Sequence, residues 1–398
     1  VETTGRSIPY IVGVRGVSAL YVASFHLNNL ILQAPGAVLP AWYHRLTDWM
    51  RYGDFRVAAF FVISGFLLTI PVTRSSTWSL PAGVRGFMLR RAERLLVPYY
   101  VALGVSIVLF LVWAAVAGAT VHPRSLALGI AAHLLLVHNL DPRTMLYLSD
   151  PLWNVALEFQ CYLLFALVLL PAMRRFGVWR PFAAVVVLAL VPHFAFGGWL
   201  DYARPWFVIL YALGVAMCAL ANPSYPALLR QDARMPWGTL WILAALATPI
   251  AIRASGIDAP YGAGWLQNLL LGVSVGAFVL FMRRGAPGPL GPLARGLARG
   301  LEVRPLRVLG AFSYSIYLIH FPVLRLLVAI AARFTHSGQV IAGLSLFAFL
   351  PLTLALAYAF HLAVERRFIL KRGAGPIGGT FFPPAREAVV TISAASAE

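Results

Sequence analysis

Apolar residues fill this chain in long continuous runs, with few of the narrow stripes that mark a helix or strand on the surface of a soluble domain. A helix needs ~20 mostly apolar residues to cross a bilayer. Runs of that kind lie near residues 8–32, 55–73, 95–117, 152–171, 178–196, 205–221, 237–252, 265–282, 308–332 and 339–364. The pattern predicts an all-α, polytopic integral membrane helical bundle of ten transmembrane helices. A shorter run at 126–140 holds His133 and His138, and a re-entrant or interfacial helix is expected there. The first run is too long for the apolar part of a cleaved leader, carries Arg15, and is followed by no small-residue cleavage site, so it reads as a span. Residues 1–370 form one membrane domain in this reading. The tail 371–398 is rich in Gly, Pro, Ala and Ser and is expected to be disordered.

Composition narrows the class further. The chain has 398 residues, of which 60% are hydrophobic and 12% charged. An ordinary soluble domain is about a quarter charged, and a disordered chain combines high charge with low hydrophobicity, so both are excluded. The formal net charge of +18 would suit a nucleic-acid-binding protein, but such a protein is not 60% apolar, and no nucleic-acid partner is expected. Cys161 and Cys218, the only cysteines, both sit in apolar runs. That leaves no disulfide framework and no zinc spacing.

The position of the basic residues predicts orientation. Every one is Arg except Lys371. Arg6, the 71–94 connection (Arg74, Arg85, Arg90, Arg91, Arg94), the 172–180 turn, the 222–236 and 283–307 connections and the tail carry most of them. With ten spans all these segments fall on one side, which the positive-inside rule makes the cytoplasm. A further span at 126–140 would divide them between two sides. The expected protein is therefore a multi-pass protein of the inner or plasma membrane with both termini cytoplasmic.

Ionisable groups inside a bilayer are costly and are usually functional. Arg15 and His26 lie eleven residues apart in the first span. At ~100° per residue they return to one helix face, ~16 Å apart along the axis. They are either a functional pair facing the bundle or a snorkelling Arg with a packed core His. In the second span, Ser64-Gly65 within Phe60–Phe66 suits either close helix packing or a polar site. Arg91 and Arg94 open the third span one turn apart, with Pro98 read as first-turn residue. Two guanidiniums on one face fit a phosphate ligand, or anchor the helix at the surface. Glu158, about six residues into its run, is the one acid well inside a run and is expected to meet a His, an Arg or a ligand hydroxyl. Ser313, Tyr317 and His320 share one face, as a cavity wall would require. Arg325 is a further basic residue inside a span.

In this order, the segments resemble the acyltransferase-3 family of multi-pass membrane O-acyltransferases. The resemblance rests on Arg15 with His26, Phe60-Phe61-Val62-Ile63-Ser64-Gly65-Phe66, Arg91 with Arg94, Trp153 to Tyr162, and Ser313 to Pro322, across roughly residues 8–370. Asn154 and Ala156 depart from the family's usual residues, but Glu158 itself is kept. The resemblance implies transfer of an acyl group, most often acetyl, from cytoplasmic acyl-CoA to a hydroxyl of a carbohydrate, a lipid-linked glycan or a natural product. On the expected topology Arg91 and Arg94 stand at the cytoplasmic mouth, where they are expected to bind the phosphate-bearing end of CoA, and Arg15, deeper in its helix, is expected to hold the pantetheine arm or the pyrophosphate. His26 becomes general base with Glu158 as its orienting partner, or else the site of an acyl-histidine intermediate. Ser64, Tyr162, Ser313, Tyr317 and His320 become substrate-binding candidates, and no metal is required. Some relatives carry a fused extracytoplasmic domain, which the short tail leads us to expect is lacking here. A multi-pass transporter of a sugar or anionic solute is the competing reading, although no matched pair of broken helices supports it.

Overall fold

The structure is a computed structural model and describes residues 9–34, 38–73, 78–222, 225–255 and 264–370. The expected tail, Arg6 and Arg74 lie outside the described residues. The described chain is helical, with no strand among the described residues. Its principal helices are α1 (Pro9–Leu32), α2 (Val57–Thr73), α3 (Gly83–Ala117), α4 (Pro123–Leu134), α5 (Asp150–Phe176), α6 (Trp179–Ala195), α7 (Trp206–Leu220), α8 (Trp237–Ala254), α9 (Trp265–Arg283), α10 (Gly291–Leu301), α11 (Arg304–Ala311), α12 (Ser313–Phe334) and α13 (Gly338–Phe368). Among the described residues eight stretches are long and apolar enough to cross a membrane: α1, Ala41–Thr73 ending in α2, α3, α5, α8, α9, α12 and α13. The apolar helices α6 and α7 stand where the two other spans were expected but are shorter, at 17 and 15 residues. The protein is an all-α polytopic membrane bundle.

Two boundaries differ from expectation. The third helix begins at Gly83, so Arg90, Arg91 and Arg94 lie within it and Pro98 is an interior residue. The basic stretch is helical because it is rich in residues that favour helix. Pro98 supplies no N–H to the carbonyl of Arg94 and crowds it. The ninth predicted span is broken at Phe312 into α11 and α12. There the Ser313 hydroxyl donates to the Gly310 carbonyl at 3.0 Å, replacing a helical bond with a side-chain one.

Side-chain contacts fix the relative helix directions. Arg15 meets Ser313 and His26 meets His320, so α1 and α12 run parallel. Tyr314 bonds the Leu95 carbonyl and Arg333 the Val116 carbonyl, which makes α3 parallel to both. Helices α2 and α7 are also parallel, Phe61 meeting Phe207 near their starts and Thr73 meeting Cys218 near their ends, and they cross at reciprocal glycines. A Cβ on Gly65 would stand 2.1 Å from the Tyr211 carbonyl oxygen, and one on Gly214 would stand 2.1 Å from that of Val62. Packing is thus the role of Gly65, while its neighbour Ser64 is polar and bonded elsewhere.

Segment 123–150 folds back on itself between α3 and α5. Helix α4 descends beside α3 until Tyr99 donates to the His133 carbonyl and Tyr100 to the Leu134 carbonyl. The chain turns at Leu136, whose φ of 57° is left-handed, and climbs back to Leu140, where Tyr202 of the α6–α7 connection bonds its carbonyl. Carbonyls released by the turn are claimed by side chains: Leu136 by Gln160 at 2.9 Å and His138 by Thr144 at 3.0 Å. Irregular backbone at membrane depth is tolerated when it is buried and bonded in this way. At the opposite end of the bundle, contacts among the Arg-rich connections bring Arg174 to Trp78, Trp179 to Gln231 and Arg283 to Asp232.

Candidate active site

Helices α1, α5 and α12 build the site, with α2, α3 and α13 closing it. Its polar residues fall in two groups separated along the α1 axis. The first surrounds Arg15. The Arg15 guanidinium donates to Ser313 Oγ at 3.0 Å and lies within electrostatic reach of Glu158, Glu365 and Tyr162. Arg94 is within reach of Arg91, Arg15 and Glu365, so three cations from two helices share one region. Arg91 lies over the Phe87 ring at 5.8 Å, and its Nε is buried with no hydrogen-bond partner among the described residues. Glu158 accepts from Ser64 at 3.1 Å and from the Tyr162 hydroxyl one turn along α5. Glu365 of α13 accepts from Ser315 at 2.5 Å and pairs with His361 at 2.8 Å.

The second group surrounds His26, which is 5% exposed. Its Nδ1 lies 3.6 Å from Oδ2 of Asp150, an ion-pair distance, with Asp150 also 5% exposed. Asp150 is the carboxylate found beside His26, while Glu158, expected as its orienting partner, accepts from Ser64 and Tyr162. The reason is register. Asp150 opens α5 at the depth of His26, whereas Glu158 is carried two turns further, to the depth of Arg15. His320 lies against the same imidazole, ring centroids 5.2 Å apart, with Phe321 at 5.3 Å. The His320 Nδ1 faces the carbonyls of Ile316 at 2.7 Å and Tyr317 at 3.1 Å. Two acceptors at Nδ1 make it the protonated nitrogen. The Nε2 is buried with no hydrogen-bond partner among the described residues.

The structure thus gathers all the sequence candidates into these two groups. Ser64, Tyr162, Ser313 and Tyr317 each direct a hydroxyl to a protein acceptor, Tyr317 reaching the Pro151 carbonyl at 2.6 Å. Sequence reasoning missed Asp150, His361 and Glu365. An acid two residues before an apolar run reads as a loop residue, and the only signal for Asp150 was its place beside Pro151 at the mouth of the run holding Glu158. His133 and His138 stack face to face, centroids 3.8 Å apart. No three His, Cys, Asp or Glu side chains converge as a metal site would need among the described residues.

Residues 8–362 match the family described as acyltransferase domain, acyltransferase 3. The peptidoglycan O-acetyltransferase OatA of Listeria monocytogenes is 23% identical over 357 residues, covering 81% of this chain and 50% of that protein. The putative peptidoglycan O-acetyltransferase YrhL of Bacillus subtilis is 25% identical, covering 80% and 49%. The O-acetyltransferase OatA of Staphylococcus aureus is 24% identical, covering 80% and 51%. The chain spans about half the length of these curated relatives. No solved structure matches it. The match over residues 8–362 places Arg15, His26, Glu158 and His320 inside the family's own domain, and the chain belongs to the acyltransferase-3 family.

Proposed function

We propose that the chain is a membrane O-acetyltransferase that moves an acetyl group from cytoplasmic acyl-CoA to a hydroxyl of an envelope glycan. The carrying observation is the buried His26–Asp150 pair beside His320, within a chain of this family. Relatives named for peptidoglycan O-acetylation favour a carbohydrate acceptor. The group around Arg15 suits the donor. Arg91 and Arg94 bind the phosphates of CoA by charge-assisted bonds, and Arg15 steadies the arm as it passes toward His26.

The chemistry follows from the tautomer. A carboxylate at Nδ1 favours the proton there and assigns proton acceptance to Nε2. His26 Nε2 takes the proton of the acceptor hydroxyl as its oxygen attacks the thioester carbonyl. The new C–O bond forms, the C–S bond breaks, and the imidazolium returns the proton to the departing thiolate. Asp150 stabilises the imidazolium formed between those events. The lone pair of His320 Nε2 accepts a hydrogen bond from the acceptor and orients it. The Arg-rich end of the bundle is the cytoplasmic end in this account.

Thiol release tests the reading. Purified protein in lipid is given acetyl-CoA with and without muropeptides or other envelope glycans. Acceptor-dependent release of CoA with acetyl ester on the glycan is expected. Glycan movement across the bilayer with no thiol release would overturn it and favour a transporter.

A further inference from the structure

Arg325 is a buried cation that the transfer chemistry above does not use. It sits on α12 five residues beyond His320 and is 9% exposed. Its guanidinium is stacked among three rings, 4.5 Å from Trp113, 5.1 Å from Phe110 and 5.3 Å from Phe321. One of its N–H groups donates to the Leu148 carbonyl at 2.9 Å. It also lies within electrostatic reach of Asp150. Two turns back on the same helix, Tyr317 donates to the Pro151 carbonyl at 2.6 Å. The two side chains therefore hold the backbone on either side of Asp150. Between them on α12 stands His320, against the ring of His26.

Among the described residues no carboxylate is in direct contact with Arg325, and a buried Arg in that state is expensive inside a membrane protein. Three aromatic faces and a carbonyl offset part of that cost, but a neutral side chain could serve packing alone. A cation at this position ties the backbone beside Asp150 and adds to the groups that favour its ionised form. We infer that Arg325, with Tyr317, is a positioning residue that presents the ionised Asp150 carboxylate to His26. This rests on the reading of His26 and Asp150 given above, and it extends that reading to a residue outside the reacting groups.

The inference is tested in two arms. In the first, acetyl transfer is measured for Asp150→Asn, Arg325→Gln, Arg325→Lys and the double variant Asp150→Asn/Arg325→Gln. Residues that act through one another are not additive. Arg325→Gln should lose about tenfold or more in rate, Arg325→Lys less, and the double variant should be no slower than Asp150→Asn alone. Multiplying losses, or an Arg325→Gln rate equal to the unsubstituted protein's, would overturn the inference.

The second arm needs no turnover. Ser149 is fully buried beside Asp150, and the native Cys161 and Cys218 are buried too. A Ser149→Cys protein should resist a membrane-impermeant maleimide. Adding Arg325→Gln, or Tyr317→Phe, should speed labelling at 149 about tenfold or more by freeing the 148–151 turn, with Cys161 and Cys218 still protected. Unchanged labelling would overturn the positioning role even if acetyl transfer stands. Faster labelling would uphold the hold of Arg325 and Tyr317 on the 148–151 turn even if no acetyl acceptor is ever found.

Discussion

Asp150 places a carboxylate oxygen 3.6 Å from Nδ1 of His26, and both side chains are buried. The two residues come from different helices, and the link between them is made by depth rather than by sequence. If Asp150 orients the imidazole and stabilises its cation, Asp150→Asn keeps the shape and removes the charge. Acetyl transfer should fall by on the order of 10²-fold at unchanged protein level, a smaller loss than removal of the base itself. Full activity in Asp150→Asn would leave His26 without the partner assigned to it.

Glu158 makes a contrasting prediction. Its carboxylate is bonded by Ser64 and Tyr162 and faces the Arg15 region. Glu158→Gln keeps an acceptor for both hydroxyls but leaves the cations with one anion fewer. Its effect should appear in KM for acetyl-CoA rather than in the proton-transfer step. Steady-state kinetics with a saturating acceptor separate the two.

Arg91 and Arg94 should govern donor affinity. Hydrogen bonds to charged groups contribute roughly 1.5–3 kcal/mol each, so Arg91→Ala or Arg94→Ala should raise KM for acetyl-CoA by about 10–10²-fold. The same variants should discriminate little between acetyl-CoA and acetyl-pantetheine, which lacks the nucleotide phosphates. Equal loss with both donors would remove the phosphate assignment.

Membrane sidedness can be read with single cysteines. Arg124, Arg143 and Arg230 are all exposed, Arg143 with 77% of its side chain accessible. If α4 is re-entrant, Arg124→Cys and Arg143→Cys should both react with an impermeant reagent from outside the cell. Arg230→Cys should react only after the membrane is opened. Opposite labelling of Arg124→Cys and Arg143→Cys would mean that segment 126–140 spans.

Hydropathy made the long helices legible because burying backbone in lipid leaves no other structure to a ~20-residue apolar run. It also made Arg15, His26, Glu158 and His320 legible, since an ionisable or polar residue within such a run stands out. What it could not supply was neighbours. Spacing along α1 puts Arg15 and His26 on one face, but nothing in that spacing says that α12 lies parallel to it. Nor does it say that the start of α5, rather than its second turn, reaches His26. Arg325 was visible as a charge inside a span, yet its hold on the Leu148 carbonyl depends on the fold of the 123–150 segment. Glu365 read as the surface end of the last helix, whereas a π-turn at His361–Glu365 turns it inward to Ser315. The start of α3 was misplaced because basic residues look like a loop in hydropathy although they are good helix formers.

The central claim is that His26 is the general base, and its removal is the most direct test. The protein is reconstituted in lipid with acetyl-CoA and a glycan acceptor, and initial rates of glycan acetylation are compared for His26→Ala and the unsubstituted chain. A general base contributes ~10²–10⁴ in rate, so a loss of that size is predicted with acetyl-CoA binding and protein level retained. Glycan acetylation by His26→Ala at a rate near that of the unsubstituted chain would contradict the account.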